Sequence, residues 1–349
     1  MTVFRAPGRV NLIGDHTDYN EGFVLPAAID LECVVDATPR RDDVVHVRSL
    51  GDEATFRLGG AEVGEPAWGR YVAGIALALA RRGRPAVGID ASVESTVPVG
   101  AGLSSSAAFE VSIGLALCDA ARFELTPLEL ALACQEGDHL TVGVPSGIMD
   151  QLASVAGVAD HALLIDCRSL EVEPIPIPQE VSIVVAHSGL PRTLVDSAYA
   201  ERRAECERVA AALGLRSLRD ATPEQVDDSP RARHVVSENA RVLAAADALR
   251  RGDLAVLGPL MAASHASLRD DYEVSTPELD ALVASLLAAG SVGARLTGAG
   301  FGGCAVALAL REEAERVAAG AAGAYERETG LTPTTWICRA ADGAGRMRA

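Results

Sequence analysis

The chain has 349 residues, 49% of them hydrophobic, which is enough to bury a core of two-domain size. Its formal net charge of -17 argues against nucleic acid as a partner, because that binding rests on phosphate contacts from a basic surface. All 31 basic residues are arginine, so chemistry that needs a lysine, whether a P-loop lysine on phosphates or a Schiff base, is excluded. The longest apolar stretches, such as 71–80, are too short to span a bilayer, and no apolar signal region precedes the first motif, so no membrane partner is expected. Seven scattered cysteines with no C-x-x-C pair suggest reduced thiols, and a soluble cytoplasmic protein is the expectation.

In chain order, residues 8–20 come first, reading Gly-Arg-Val-Asn-Leu-Ile-Gly-Asp-His-Thr-Asp-Tyr-Asn. Arg9, Asp15, His16 and Asp18 crowd donors and acceptors into ten residues, which suits a ligand recognised hydroxyl by hydroxyl. Composition alone equally suits an exposed turn in which glycine and aspartate serve the backbone. Apolar alternation then predicts strands at 23–37, 44–49 and 89–95, with a helix at 71–80 between them.

Residues 98–108 form a glycine-rich turn between a strand and a helix predicted at 107–120. Glycines let backbone approach an anion, N–H groups at a helix start point at it, and serine hydroxyls can donate to phosphate or ligate magnesium. A plain loop with serine caps is the other reading. Thr126-Pro127-Leu128-Glu129 is a capping box with proline at the first helical position, opening a helix toward Gln135. Asp138-His139 and then Gly147-Ile148-Met149-Asp150-Gln151 place two carboxylates twelve residues apart, able to supply a base and a magnesium ligand, or simply to face solvent.

Strands are expected again at 162–167 and 181–186. The second half reads as mainly helical from Leu194 to about Leu287, with helix starts at Thr222-Pro223 and Thr276-Pro277. Strands return at 293–296, 304–310 and 334–339, and the last nine residues read as a tail. Gly298-Ala299-Gly300-Phe301-Gly302-Gly303-Cys304 joins two apolar strands, either as a tight turn or as a second loop over a nucleotide. The mixture is α+β without a βαβ repeat, divided into domains at 1–180 and 181–349.

Taken together and in this order, the four segments resemble those of the galactokinase family, within the GHMP superfamily of small-molecule kinases. Residues 68–74 and 161–168 resemble galactokinase segments as well. The resemblance implies a ribosomal-S5-like N-terminal domain, a ferredoxin-like C-terminal domain, and a monomer that phosphorylates the anomeric O1 hydroxyl of galactose using ATP and Mg2+. It implies Asp150 as base and Arg9 as the arginine that stabilises the transition state. It places Asp15, His16, Thr17, Asp18, Gly147 and Tyr199 on the sugar. Gly100, Ala101, Gly102, Leu103, Ser104, Ser105, Ser106 and Ser49 fall on the nucleotide, and Ser106 and Asp138 on the metal. Where the family usually has glutamate, this chain has Asp15 and Asp138, each shorter by one methylene, or roughly 1.5 Å of reach. At Asp138 a water can bridge to magnesium. At Asp15, near the sugar 6-hydroxyl, the shorter side chain leaves room for a different substituent. The alternatives are a GHMP kinase for another hexose or pentose, and a galactokinase-derived sensor without turnover.

Overall fold

The computed structural model describes residues 1–59, 66–143, 146–190 and 195–347, apart from the side chains of residues 142 and 195–197. The chain begins with β1 (Thr2–Asn11), followed by the short β2 (Phe23–Val24) and the long β3 (Pro26–Pro39). The single strand expected at 23–37 is therefore two. Leu25 is drawn out of line because its N–H donates to Ile13 O while its carbonyl accepts from Leu12 N, and Pro26 has no N–H to add to a ladder.

β4 (Val44–Ser49), β5 (Asp52–Arg57), β6 (Ile89–Ser95) and the C-terminal β13 (Gly345–Arg346) complete the first sheet, whose order is β13-β1-β3-β6-β4-β5. The helices α1 (Gly69–Arg81), α2 (Ser105–Ala121), α3 (Pro127–Val142) and α4 (Met149–Ala156) assemble on it, α2 against β1 and β3 and α4 against β1. On α2, Ala108, Val111, Ile113 and Leu117 are closed to solvent. Each such branched aliphatic side chain contributes about 1.5–3 kcal/mol when fully buried. α3 starts as its sequence dictates: Thr126 accepts from Glu129 N, Glu129 reaches back to Thr126 N, and Pro127 needs no partner for a missing N–H.

β7 (His161–Asp166) and β8 (Glu171–Pro176) join β2 in a small sheet. The second large sheet, ordered β10-β11-β9-β12, is built from β9 (Val181–His187), β10 (Gly293–Leu296), β11 (Cys304–Leu310) and β12 (Thr334–Cys338). Around it lie α5 (Val195–Ala212), α6 (Pro230–Arg250), α7 (Leu254–Asp270), α8 (Pro277–Ala288) and α9 (Ala314–Thr329). α8 and α9 seal one face of this sheet through Leu282, Leu286, Val317 and Tyr325. The chain is α+β, as its pattern predicts, and the expected helical start at Leu194 lies outside the described residues.

Two expectations are corrected. The Thr222 start yields only a three-residue 3-10 turn, Pro223–Gln225, although its capping box forms. Pro230 follows too soon for a helix to propagate, and the α-helix restarts there. Nor do residues 341–347 form a tail. Ala341 N donates to Ala28 O, Gly343 N to Gly157 O and Ala344 N to Ser154 O, and β13 (Gly345–Arg346) pairs antiparallel with β1.

Candidate active site

The register between β1 and β3 shifts between Pro7 and Arg9, and a bulge of this kind bends a strand and re-aims its side chains. Gly8 sits at that shift because a Cβ there would stand 2.7 Å from Leu103 O. The strand therefore lies directly on the glycine-rich loop, and Arg9 N donates to Leu103 O at 3.0 Å. Arg9 is 5% exposed. Its Nε and Nη2 donate to the two carboxylate oxygens of Asp150 at 2.9 and 2.8 Å, while Nη1 donates to Gly102 O at 2.7 Å. Asp150 is in the first turn of α4, where a negative charge also meets the positive end of the helix. A third donor reaches it: Ser104 Oγ, 2.6 Å from Asp150 Oδ2.

The segment expected either to read a sugar or to be an exposed turn is neither solvated nor irregular throughout. Its first four residues belong to β1, and Asp15, His16 and Thr17 are buried beyond it. Thr17 Oγ1 bonds the carbonyls of Gly14 and Phe23 at 2.8 and 2.7 Å, so this hydroxyl shapes the loop from within. His16, held at φ 65°, donates from Nε2 to Ala299 O at 3.2 Å and accepts at Nδ1 from Tyr19 OH at 2.8 Å. Tyr19 is bonded in turn to Tyr272 OH, and Tyr272 to Cys206. Burial pushes His16 down to about 3, so the ring is neutral and both of its nitrogens are engaged inside the protein.

Asp18 is half-buried, and Tyr19 N donates to its Oδ1 at 2.9 Å. Its Oδ2 lies where a Cβ on Gly147 would be, 1.7 Å from the ideal position. Only glycine at 147 leaves space for that carboxylate. Burial, and then the charge of Asp150, raises Asp18 to about 6. Tyr199 has its ring 5.7 Å from His16 and 5.2 Å from Tyr19, and its hydroxyl neighbours Gly147. Asp15, Asp18, Gly147, Tyr199, Arg9 and Asp150 thus share one neighbourhood.

The glycine-rich loop meets the physical requirements of a phosphate cradle. Gly100 and Gly102 have φ of 74° and 87°, and nothing stands within 4 Å of the Cβ position on Gly100. Ala101 and Leu103 turn inward to anchor the loop in the core. Ser104 has φ 60° and does not cap α2, because its hydroxyl is turned to Asp150. The N–H groups that open α2 at Ser105 and Ser106 are left without a side-chain cap, which is the arrangement that receives an anion.

Ser106 is exposed at the head of α2, and Glu110 follows one turn later on the same face. Glu110 is closed to solvent, accepts from Gln151 Nε2 at 3.3 Å, and interacts with Asp138. Burial raises both Glu110 and Asp138, while Ser146 Oγ donates to Asp138 Oδ2 at 3.1 Å. No group of three or more histidine, cysteine or acidic side chains among the described residues could hold a metal alone. Ser106 and Asp138 are hard oxygen donors and fit a cation that takes its remaining ligands from phosphates and water. Ser49 ends β4, paired in register with Val93 on the strand that leads into the glycine-rich loop.

The third glycine segment is gripped by the first. Thr297 Oγ1 bonds both N and O of Asn11 at 2.9 and 3.1 Å, Gly298 N donates to Asp15 Oδ1 at 3.1 Å, and Ala299 O receives His16. Sequence reasoning missed Glu110, Tyr272 and Arg295. Only Glu110 carried a signal, its helical spacing of four from Ser106.

Residues 2–39 match the galactokinase galactose-binding signature, 70–158 the N-terminal domain of GHMP kinases and 245–327 their C-terminal domain. The chain is 49% identical to a galactokinase of Roseiflexus sp. over 99% of its length and 93% of the relative's. It is 46% identical to one of Chloroflexus aurantiacus, covering 98% and 92%. Among solved structures it is similar to Lactococcus lactis galactokinase complexed with galactose, with a TM-score of 0.94, 35% identity, and 99% and 95% of the two chains covered. A mevalonate kinase at 19% identity and a TM-score of 0.68 shares the fold.

Proposed function

The chain belongs to the galactokinase family of GHMP kinases, and from that premise we propose that it transfers the γ-phosphoryl group of ATP to the O1 hydroxyl of D-galactose, giving galactose 1-phosphate and ADP. The observation that carries the mechanism is the two-point contact of Arg9 on Asp150 beside an uncapped helix start. Asp150 takes the O1 proton as the oxygen attacks phosphorus. Arg9 keeps that carboxylate ionised and oriented, and its charge offsets the charge developing on the transferred group. Asp18, Gly147 and Tyr199 line the sugar, with Asp15 near its C6 substituent. His16 and Thr17 act from behind, holding the loop.

The backbone of residues 100–106 receives the nucleotide phosphates, with Ser49 toward the rest of the nucleotide. Ser106 and Asp138 would hold magnesium, which supplies neutralisation of phosphate charge when bound. All seven cysteines carry free thiols, which supports a reducing cytoplasm as the working compartment. No helix among the described residues is long and apolar enough to cross a membrane.

The test is ADP release with Mg2+, ATP and a panel of sugars, for the parent and for Asp150→Asn. The parent is expected to turn over galactose, and the variant to lose roughly 10² to 10⁴ in turnover while calorimetry still detects galactose binding. Turnover by the variant within about threefold of the parent removes Asp150 as the base.

A further inference from the structure

Asp15 differs from the acidic side chains around it in where its charge is answered. Its Oδ1 accepts from Gly298 N at 3.1 Å, and its Oδ2 stands 2.5 Å from Arg295 Nη2. Both partners come from the second sheet, Arg295 from β10 and Gly298 from the loop that follows it. Arg295 is completely buried, Asp15 is 2% exposed, and Arg295 Nη1 also donates to Asn11 O at 3.2 Å. Arg295 Nε has no hydrogen-bond partner, and the Nη2 contact with Asp15 is a charge contact out of line for a hydrogen bond.

The buried carboxylate of Glu238 also feels the Arg295 charge, but Asp15 is the one in direct contact with it, and removing one partner of a contacting buried pair is strongly destabilising. The position of the Asp15 carboxylate is therefore dictated from behind, by a residue with no access to the cleft. Because Asp15 is the shorter acidic residue, it cannot both follow Arg295 and extend forward.

We propose that Arg295 is a specificity-determining positioning residue: it holds the Asp15 carboxylate back toward the second sheet, and so sets which substituent at sugar C6 the pocket accepts. This rests on the reading of the site as a sugar kinase in which Asp15 lies near C6. Burial raises Asp15, and Arg295 and then Arg9 oppose that rise.

The experiment compares kcat and KM for galactose, its 6-deoxy analogue and arabinose, which lacks C6, in the parent, Asp15→Asn, Arg295→Lys and the double variant D15N/R295M. Melting temperature is followed throughout. Lysine keeps the charge on a differently shaped head, and the double variant is neutral at both positions, so one can fold where the other fails. Arg295→Lys is expected to change the preference for galactose over the 6-deoxy sugar by about tenfold through KM, with kcat within about threefold, and D15N/R295M is expected to differ in that preference from Asp15→Asn by a similar factor. A preference in Arg295→Lys within about twofold of the parent, or, where that variant does not fold, one in D15N/R295M within about twofold of Asp15→Asn, with Asp15→Asn itself changing it, overturns the role of Arg295 and leaves Asp15 as the C6 reader. An unchanged preference in all three variants overturns the reading of Asp15 itself, and the proposal with it. Failure of both Arg295 variants to fold also counts against the proposal, since a positioning role is separable from the fold.

Discussion

Ser104 Oγ lies 2.6 Å from Asp150 Oδ2, so a residue of the glycine-rich loop donates to the carboxylate assigned as base. The two are 46 residues apart in the chain, and the contact ties the glycine-rich loop to the first turn of α4. A hydrogen bond to a charged group is worth about 1.5–3 kcal/mol, so Ser104→Ala is expected to lower kcat by roughly 10- to 100-fold with little change in galactose KM. Steady-state kinetics decides it. A kcat equal to the parent's shows that Arg9 alone orients the carboxylate.

Gly147→Ala tests the packing of the sugar pocket. The added methyl overlaps Asp18 Oδ2, and Asp18 must move or the α4 entrance must shift. Misplacement by about an ångström costs on the order of 10²-fold, so kcat/KM for galactose is expected to fall by roughly 10- to 100-fold. Parent-like kcat/KM in the folded variant means that Asp18 does not touch the sugar.

Ser106→Ala tests the metal assignment. The Mg2+ concentration for half-maximal activity is expected to rise by about tenfold, while galactose binding measured by calorimetry stays the same. Superimposable magnesium activation curves for variant and parent remove Ser106 as a ligand.

The Asp18 carboxylate makes stability depend on pH. The unfolded side chain loses its proton near 4, whereas the folded one keeps it until about 6. Across that window the folded state binds more protons, so this group lowers stability as pH rises from about 4 through about 6 and leaves it lower above. Asp18→Asn removes the loss. The ligand-free variant is expected to be more stable than the parent at pH 7 by on the order of 1–3 kcal/mol, with the difference closing near pH 4. Denaturation at the two pH values checks the sign, and a variant less stable at pH 7 than at pH 4 relative to the parent contradicts it.

Local chemistry was legible in the sequence wherever it acts over a few residues. The Thr126 capping box, the Pro277 helix start and the limits of β10 and β11 all appear as the pattern predicts. β1 was hidden because the polar run of the first motif suggests a turn, while the strand is buried on account of what the distant glycine-rich and third segments place against it. His16 shows the same limit. Its residue type suggests a sugar contact, and only the fold supplies Tyr19 and Ala299 to occupy both nitrogens. Arg295 has no local signature at all, since the carboxylate that answers it, Asp15, belongs to the opposite half of the chain.

The pairing of β13 with β1 has a consequence for how the molecule is made. Phe4 and Arg5 face Arg346 and Gly345, and Met347 N donates to Val3 O at 2.8 Å. During synthesis the strand that carries Arg9 must wait, with one edge open, until the residues of both large sheets have left the ribosome. An open strand edge invites pairing with another chain. A nascent chain halted before residue 345 therefore has its first sheet unfinished on the flank of the strand that carries Arg9, and that sheet is completed only after the strands of the second sheet have been made.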